Sequence, residues 1–209
     1  MAQLRLAVLA SGRGSNFEAI LKNIEAGKLK ATIQVVVSNK ATAGALEIAR
    51  EHQIPAVHIS AKELPQQELF DEKLLSVLKQ YDANFIILAG YLKMLSPGIV
   101  RAYKNRILNI HPALLPSFGG KGMYGHHVHQ AVLDYGCKVT GVTVHLVDEQ
   151  YDTGIPVLQR CVPVLDDDDA ERLAARVLKV EHQIFSEALL LFAADRIEIV
   201  GRRVKIRSN

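Results

Sequence analysis

Three side chains of this chain have the types and spacing that acyl transfer needs. Asn109 and His111 lie in Asn109-Ile110-His111-Pro112, and Asp152 lies in Asp152-Thr153-Gly154. Residues two apart on a strand share a face, and Pro112 disfavours helical backbone at His111. Residues 107–110 therefore read as a buried strand that presents an amide and an imidazole at its C-terminal end, where open α/β sheets hold their ligands. Imidazole moves protons near neutrality. An amide N–H can stabilise an oxyanion developing on a carbonyl, and a nearby carboxylate orients the ring and raises its pKa. The sequence has neither a Gly-x-Ser-x-Gly elbow nor a cysteine in an activating setting, which favours direct attack by an amine or water over a covalent enzyme intermediate. The plainer alternative is that His111-Pro112 ends a strand and Asp152-Thr153-Gly154 makes a turn. Residue types alone leave both open.

A second candidate is Ser11-Gly12-Arg13-Gly14-Ser15-Asn16, between the first apolar run and the first amphipathic segment. Glycines let the backbone approach a ligand, and exposed N–H groups at a helix start attract anions. The dinucleotide fingerprint fails, because Phe17 stands at its third glycine and the second strand ends in Ser38-Asn39 instead of a ribose-binding acid. Gly119-Gly120-Lys121-Gly122 likewise lacks the spacing and setting of a Walker loop. What remains is a monophosphate site, or a tight turn with Ser15 or Asn16 as helix cap.

The elements that must position these groups follow from periodicity. Apolar runs at 4–10, 33–38, 56–59, 85–88 and 107–110 read as strands, and 16–26, 43–53, 65–80 and 97–103 as helices. Pro65 and Pro97 fit first-turn positions, and Gly27 fits a C-terminal cap. Such alternation predicts βαβ units and a doubly wound, mostly parallel sheet. Beyond a glycine-rich loop at 117–125 and a helix near 128–135, the β-rich runs 138–147 and 157–164 give the C-terminal portion an antiparallel lean. A helix at 168–192 and a hairpin at 197–200 and 204–206 complete the chain. The expected organisation is one α/β domain over 1–209, with a phosphate-binding half (1–105) and a catalytic half (106–209).

Composition excludes several classes. At 209 residues, 49% hydrophobic and 22% charged, the chain is an ordinary globular protein, and +3 is too weak a charge to require a polyanion. Its basic residues are scattered without interleaved aromatics, so no nucleic-acid partner is expected. No run reaches the length of a membrane span or a signal peptide, and Cys137 and Cys161 stand isolated, which together predict a cytoplasmic protein. His126, His127 and His129 lack a convincing fourth zinc ligand, and His129 reads as part of a helix start. The run 166–169 lacks EF-hand spacing, and acids before a helix suit capping. No metal is expected.

Taken together, these segments resemble the folate-dependent formyltransferases, and among them the phosphoribosylglycinamide formyltransferases. The likeness runs in order along nearly the whole chain, through residues 11–16, 88–97, 108–116 and 144–154, with Arg176-Val177 and Glu181-His182 near the end. It implies a Rossmann-like fold and transfer of a formyl group from 10-formyltetrahydrofolate to the amino group of glycinamide ribonucleotide, in purine biosynthesis. It places Gly14, Ser15 and Asn16 on the substrate phosphate and Glu181 at the glycinamide end. The folate falls along Leu92, Lys93, Met94 and Leu95, with Gln67, Asn109 and the loop 148–152. Asn109, His111 and Asp152 become the catalytic trio, with protonated His111 and Asn109 on the oxyanion and Asp152, not Asp148, as the acid that raises the pKa of His111.

Some positions depart from the family's commonest pattern: Gln67 where a basic residue often aids folate binding, Lys93 where Arg is frequent, and Gly154-Ile155-Pro156 for Gly-Pro. A monomer or homodimer acting on small molecules is expected. The rivals are another formyltransferase or a formyl-folate hydrolase. The hydrolases carry an extra N-terminal domain, whereas this sequence starts at its first strand. An initiator-tRNA formyltransferase would carry a basic C-terminal domain, for which 209 residues leave no room. A non-catalytic phosphate-binding module is a third, and it would need residues 14–16 but not the trio.

Overall fold

The computed structural model describes residues 3–208 and has a mixed α/β fold with a mostly parallel sheet. The chain divides into two compact units between Leu108 and Asn109. The first holds β1 (Leu4–Leu9), α1 (Ser15–Glu25), β2 (Ala31–Ser38), α2 (Gly44–Glu51), β3 (Ala56–His58), α3 (Gln67–Gln80), β4 (Phe85–Leu88) and α4 (Pro97–Ala102). Strand β5 (Ile107–His111) begins in the first unit and ends in the second. The second continues with α5 (His126–Asp134), β6 (Val139–Leu146), β7 (Pro156–Pro163), α6 (Ala170–Ala193), β8 (Ile197–Val200) and β9 (Arg203–Ile206).

In the first unit the strands run in the order β3-β2-β1-β4, and every pair is parallel. Parallel strands flanked by helices are buried on both faces, which is why β1 and β4 are almost continuously apolar. Leu6, Val8, Ile86 and Ile87 have no exposed surface. Chain order reverses between β1 and β4, so the loops that follow them flank a switch point where such sheets open a crevice. Helix α1 buries Phe17, Ile20 and Leu21.

In the second unit β6 and β7 pair antiparallel, as do β8 and β9. Helix α6 buries Leu173, Val177, Ile184, Phe185 and Ala188 on one face. Asp169 caps it by accepting from the Arg172 N–H at 2.8 Å. Asp168 takes a two-pronged bond from Arg176 at 2.6 and 2.7 Å, and Asp166 pairs with Lys138. The acidic run is thus consumed by capping and ion pairs.

Two local expectations are corrected. Helix α3 starts at Gln67 with Gln66 at its cap, so Pro65 precedes the helix instead of opening its first turn. Neither Ser15 nor Asn16 caps α1: the cap is Gly14, in the left-handed region at φ 87, and no side chain bonds the first turn from that position. A side chain at Gly14 would be strained by that φ and would bring a Cβ within 2.9 Å of the Ala45 Cα.

Candidate active site

The sequence-predicted trio converges within the second unit. Strand β5 delivers Asn109, half-buried, and His111, 3% exposed, to its end. The loop after β6 returns Asp152 to them, with Asp152 itself left-handed at φ 56, a conformation aspartate tolerates better than most residues. Asp152 Oδ2 lies 3.7 Å from His111 Nδ1, and Oδ1 lies 3.7 Å from His145 Nε2. Both separations are ion-pair distances, longer than a hydrogen bond. The direct bond to Asp152 comes from the backbone: the Gly120 N–H donates to Oδ2 at 2.9 Å. Gly119 makes that approach possible, because a Cβ there would sit 2.6 Å from Leu115 Cδ2 and 3.2 Å from Asp152 Cβ. Asp148 is turned to another task. Its Oδ1 accepts from the Gln150 N–H and from Thr153 Oγ1, which shapes the loop.

His145 is the residue that sequence reasoning missed. In Val142-Thr143-Val144-His145-Leu146 it occupies a buried strand position and is 2% exposed. Its Nδ1 lies 2.9 Å from the Leu146 carbonyl, which can only accept, so Nδ1 carries the proton. In the neutral ring Nε2 then accepts from Asn109 Nδ2 at 3.0 Å. That bond orients the amide and leaves its second N–H for another acceptor. The nearest signal in the sequence is a histidine in an otherwise apolar and hydroxyl-bearing strand, seven residues before Asp152.

The segment after His111 is fixed by polar bonds that replace regular structure. Thr143 Oγ1, fully buried, donates to the Ala113 carbonyl at 2.7 Å and accepts the Leu115 N–H at 3.0 Å. Gln159 Nε2 bonds both the Leu115 carbonyl and Thr143 Oγ1. A cis Leu115-Pro116 bond follows. Arg202, from the β8–β9 turn, donates to the Thr153 carbonyl at 2.7 Å. Beside Asp152 opens a cleft of about 420 Å3 lined by Leu115, Gly119, Tyr151, Thr153 and Arg202.

Electrostatics set the resting state of these groups. Burial pushes the His111 pKa below its ordinary value, and Asp152 and the Phe118 carbonyl, which both favour the cation, do not reverse this. Asp152 does raise the pKa of His111, but less than burial lowers it. His111 is therefore neutral at rest at pH 7. Its Nε2 lies 2.8 Å from the Phe118 carbonyl, so Nε2 holds the proton and Nδ1 offers its lone pair on the Asp152 side. For Asp152, burial favours the neutral acid, yet His145, the Gly120 N–H and His111 outweigh it and hold the carboxyl below its usual range.

His129, the fourth residue of α5, is 4% exposed, and its Nδ1 finds no partner among the described residues. Burial, reinforced by His126 and His111, lowers its pKa to about 4. A histidine with a depressed folded pKa binds fewer protons folded than unfolded, so stability is complete above pH 6.5 and declines as pH falls towards 4. At about 1.4 kcal/mol per pKa unit, this one group accounts for up to about 3 kcal/mol across that window. Urea midpoints measured from pH 7 to pH 4 should therefore fall less steeply for His129→Gln than for the unaltered chain. Identical slopes would show that His129 is not buried in its neutral form.

The remaining candidates sit on other elements. Gly14 and Asn16 are buried and Ser15 half-buried, at the start of α1. Leu92, Lys93 and Met94 are exposed on the loop after β4, whereas Leu95 is a core residue at 3% exposure. Gln67 spends its amide on Asp71 Oδ1 at 2.7 Å, and the other oxygen of Asp71 bonds Ser96 Oγ. Glu181 is buried on α6. Among the described residues no three His, Cys, Asp or Glu side chains form a metal-binding group, and no helix is long and apolar enough to cross a membrane.

Comparison with known proteins adds the following. The family described as formyl transferase matches residues 4–189. The chain is 44% identical over 193 residues to the chloroplastic phosphoribosylglycinamide formyltransferase of Vigna unguiculata, a match covering 92% of this chain and 62% of that protein. It thus spans a little under two thirds of that relative's length. It is 36% identical to the phosphoribosylglycinamide formyltransferase of Escherichia coli (strain K12), covering 94% of this chain and 90% of the relative. Among solved structures, glycinamide ribonucleotide transformylase 1 from Symbiobacterium toebii superposes with a TM-score of 0.93 at 40% identity, covering 99% of this chain and 95% of that one.

Proposed function

This chain belongs to the formyl transferase family, and from that premise we propose that it transfers the formyl group of 10-formyltetrahydrofolate to the amino group of glycinamide ribonucleotide, a cytoplasmic step of purine biosynthesis. The observation that carries the reading is the cluster of Asn109, His111, His145 and Asp152, a neutral imidazole and an oriented amide beside an ionised carboxylate. The named activity of relatives matched over most of this chain supports it.

The chemistry follows from those groups. The substrate amine attacks the formyl carbon, forming the new C–N bond and leaving negative charge on the formyl oxygen. The Asn109 N–H that His145 does not occupy stabilises that charge. His111, neutral at rest, accepts a proton from the attacking nitrogen at Nδ1, and the cation so formed lies 3.7 Å from the Asp152 carboxylate. It returns the proton to the folate nitrogen as the old C–N bond breaks, giving the formamide and tetrahydrofolate. His145 acts through Asn109 and Asp152 and is a positioning residue. In this reading Gly14, Ser15 and Asn16 hold the phosphate at the start of α1, where the cap residue Gly14 has no side chain to compete for the first-turn amides. The folate lies along residues 92–95, with Gln67 beside it, and Glu181 meets the glycinamide amine.

The test is to incubate the protein with 10-formyltetrahydrofolate, with and without glycinamide ribonucleotide, and to follow tetrahydrofolate and the formylated product. Turnover that requires the amine and yields formylated product in equal amount is expected. Release of tetrahydrofolate without the amine would make the protein a hydrolase, and no turnover under either condition would leave a binding module.

A further inference from the structure

Ser11, two residues beyond β1, is 2% exposed, and its hydroxyl has both hydrogen-bonding roles filled. It donates to Asn39 Oδ1 at 2.6 Å and accepts the Leu92 N–H at 2.9 Å, while the Ser11 N–H donates to the Gly90 carbonyl at 3.0 Å. Ser11, Asn39 and Leu92 lie on the loops after β1, β2 and β4, and this one side chain ties the three together. Asn39 stands at the end of β2, where a dinucleotide-binding sheet would present its ribose acid. Here its amide oxygen is taken by Ser11.

The anion loop beyond Ser11 has little freedom of its own. The Gly12 carbonyl accepts the Ala45 N–H at 3.2 Å, and Gly14 rests against Ala45. A shift at Ser11 therefore moves the first-turn amides of α1. On the other side, Leu92 opens the exposed stretch 92–94, and its N–H has Ser11 Oγ as its partner.

We propose that Ser11, held by Asn39, is a positioning residue that sets the anion loop against the segment beginning at Leu92, so that one buried hydroxyl places the phosphate of the acceptor and the pterin of the donor together. This rests on the assignment of residues 14–16 to phosphate and 92–95 to folate. A side chain serving the fold alone would change stability and leave substrate affinities untouched. One serving a single site would alter a single KM.

Ser11→Ala is expected to raise KM for both glycinamide ribonucleotide and 10-formyltetrahydrofolate by about five- to tenfold, the loss expected for one or two neutral hydrogen bonds. The kcat should stay within about threefold, because no catalytic group is touched, and the pH profile should not move. Asn39→Ala should act in the same direction more weakly, and Asn39→Asp, which keeps the acceptor, should restore both KM values. If Ser11→Ala does not fold, the Asn39 pair carries the test. A change in one KM only, or a fall in kcat with both KM values intact, overturns the proposal. Backbone amide exchange provides a readout free of turnover. Inorganic phosphate should perturb the amides of residues 14–16 and slow exchange at Leu92 in the unaltered protein, and the slowing at Leu92 should vanish in Ser11→Ala. Phosphate that perturbs 14–16 without affecting Leu92 refutes the positioning role, and phosphate that perturbs neither refutes both it and the assignment beneath it. Absence of turnover together with the predicted exchange behaviour would reject the reaction and retain the junction.

Discussion

His111→Ala should lower kcat by about a hundred- to ten-thousand-fold, the range typical of a lost general acid–base group, with KM for glycinamide ribonucleotide moved only a few-fold. The separation of effects follows from the different roles assigned to the two groups of residues. His111 lies at the end of β5 beside Asp152, whereas the residues assigned to phosphate lie at the start of α1. His111 is 3% exposed, so its removal also leaves a small void and deprives the Phe118 carbonyl of a partner. A stability loss of roughly 1–3 kcal/mol is expected from that carbonyl and is too small to unfold most domains. His111→Gln fills more of the space and offers an amide to Phe118, yet cannot carry a proton, so it should be nearly as inactive and more stable. Single-turnover measurement at saturating substrates separates chemistry from binding. Either variant retaining activity within tenfold would remove His111 from the proton path.

Most of the first unit was legible in the sequence because buried parallel strands are written as uninterrupted apolar runs. Leu6 to Leu9 and Phe85 to Leu88 are apolar throughout, and Gly12 and Gly90 follow them closely. The errors there are of one kind. Pro65 and the Ser15-Asn16 pair have the composition of a helix start, but the cap geometry depends on backbone angles that composition does not encode, and Gly14 with its positive φ took the position. At the site, Asn109 and His111 were visible because a strand fixes their common face, whereas Asp152 was one of two acids in a turn-rich loop and only the family resemblance chose it over Asp148. Three participants were not visible. The Phe118 carbonyl and the Gly120 N–H are backbone groups in a loop, and any residue type supplies them. His145 was hidden by its own burial, since a histidine in an alternating strand reads as a satisfied core residue until its Nε2 is seen 3.0 Å from Asn109. The protonation state of His111 was not legible for a related reason. Pairing with a carboxylate can be inferred from sequence, but the depth of burial that outweighs it cannot.

Asp152→Asn tests that balance most directly. The carboxylate raises the His111 pKa against a larger effect of burial, so removing its charge should lower that pKa further. For a group that must be neutral to accept a proton, the sign is then fixed. Activity of the unaltered protein should fall on the acid side as pH drops through a value below 6.5, and in Asp152→Asn that limb should move to lower pH still. The maximal rate should nevertheless drop by about a hundred- to ten-thousand-fold, because the imidazolium formed during transfer loses its counter-charge and the ring becomes a weaker base. Geometry adds a second penalty. Gly120 donates to Oδ2, so the new amide must present its oxygen there and turn its NH2 towards His145 Nε2, the atom that accepts from Asn109. Competition between two donors for one lone pair would loosen the Asn109 N–H that faces the developing oxyanion. Asp148→Asn is the matched control: its carboxylate shapes the loop by bonding Gln150 and Thr153, and an amide oxygen can accept the same bonds. That variant should retain activity within a few-fold and leave the acid limb in place. An acid limb that moves upward in Asp152→Asn, or an equal loss in Asp148→Asn, would mean that the carboxylate acts through loop structure and not through the charge it sets beside His111.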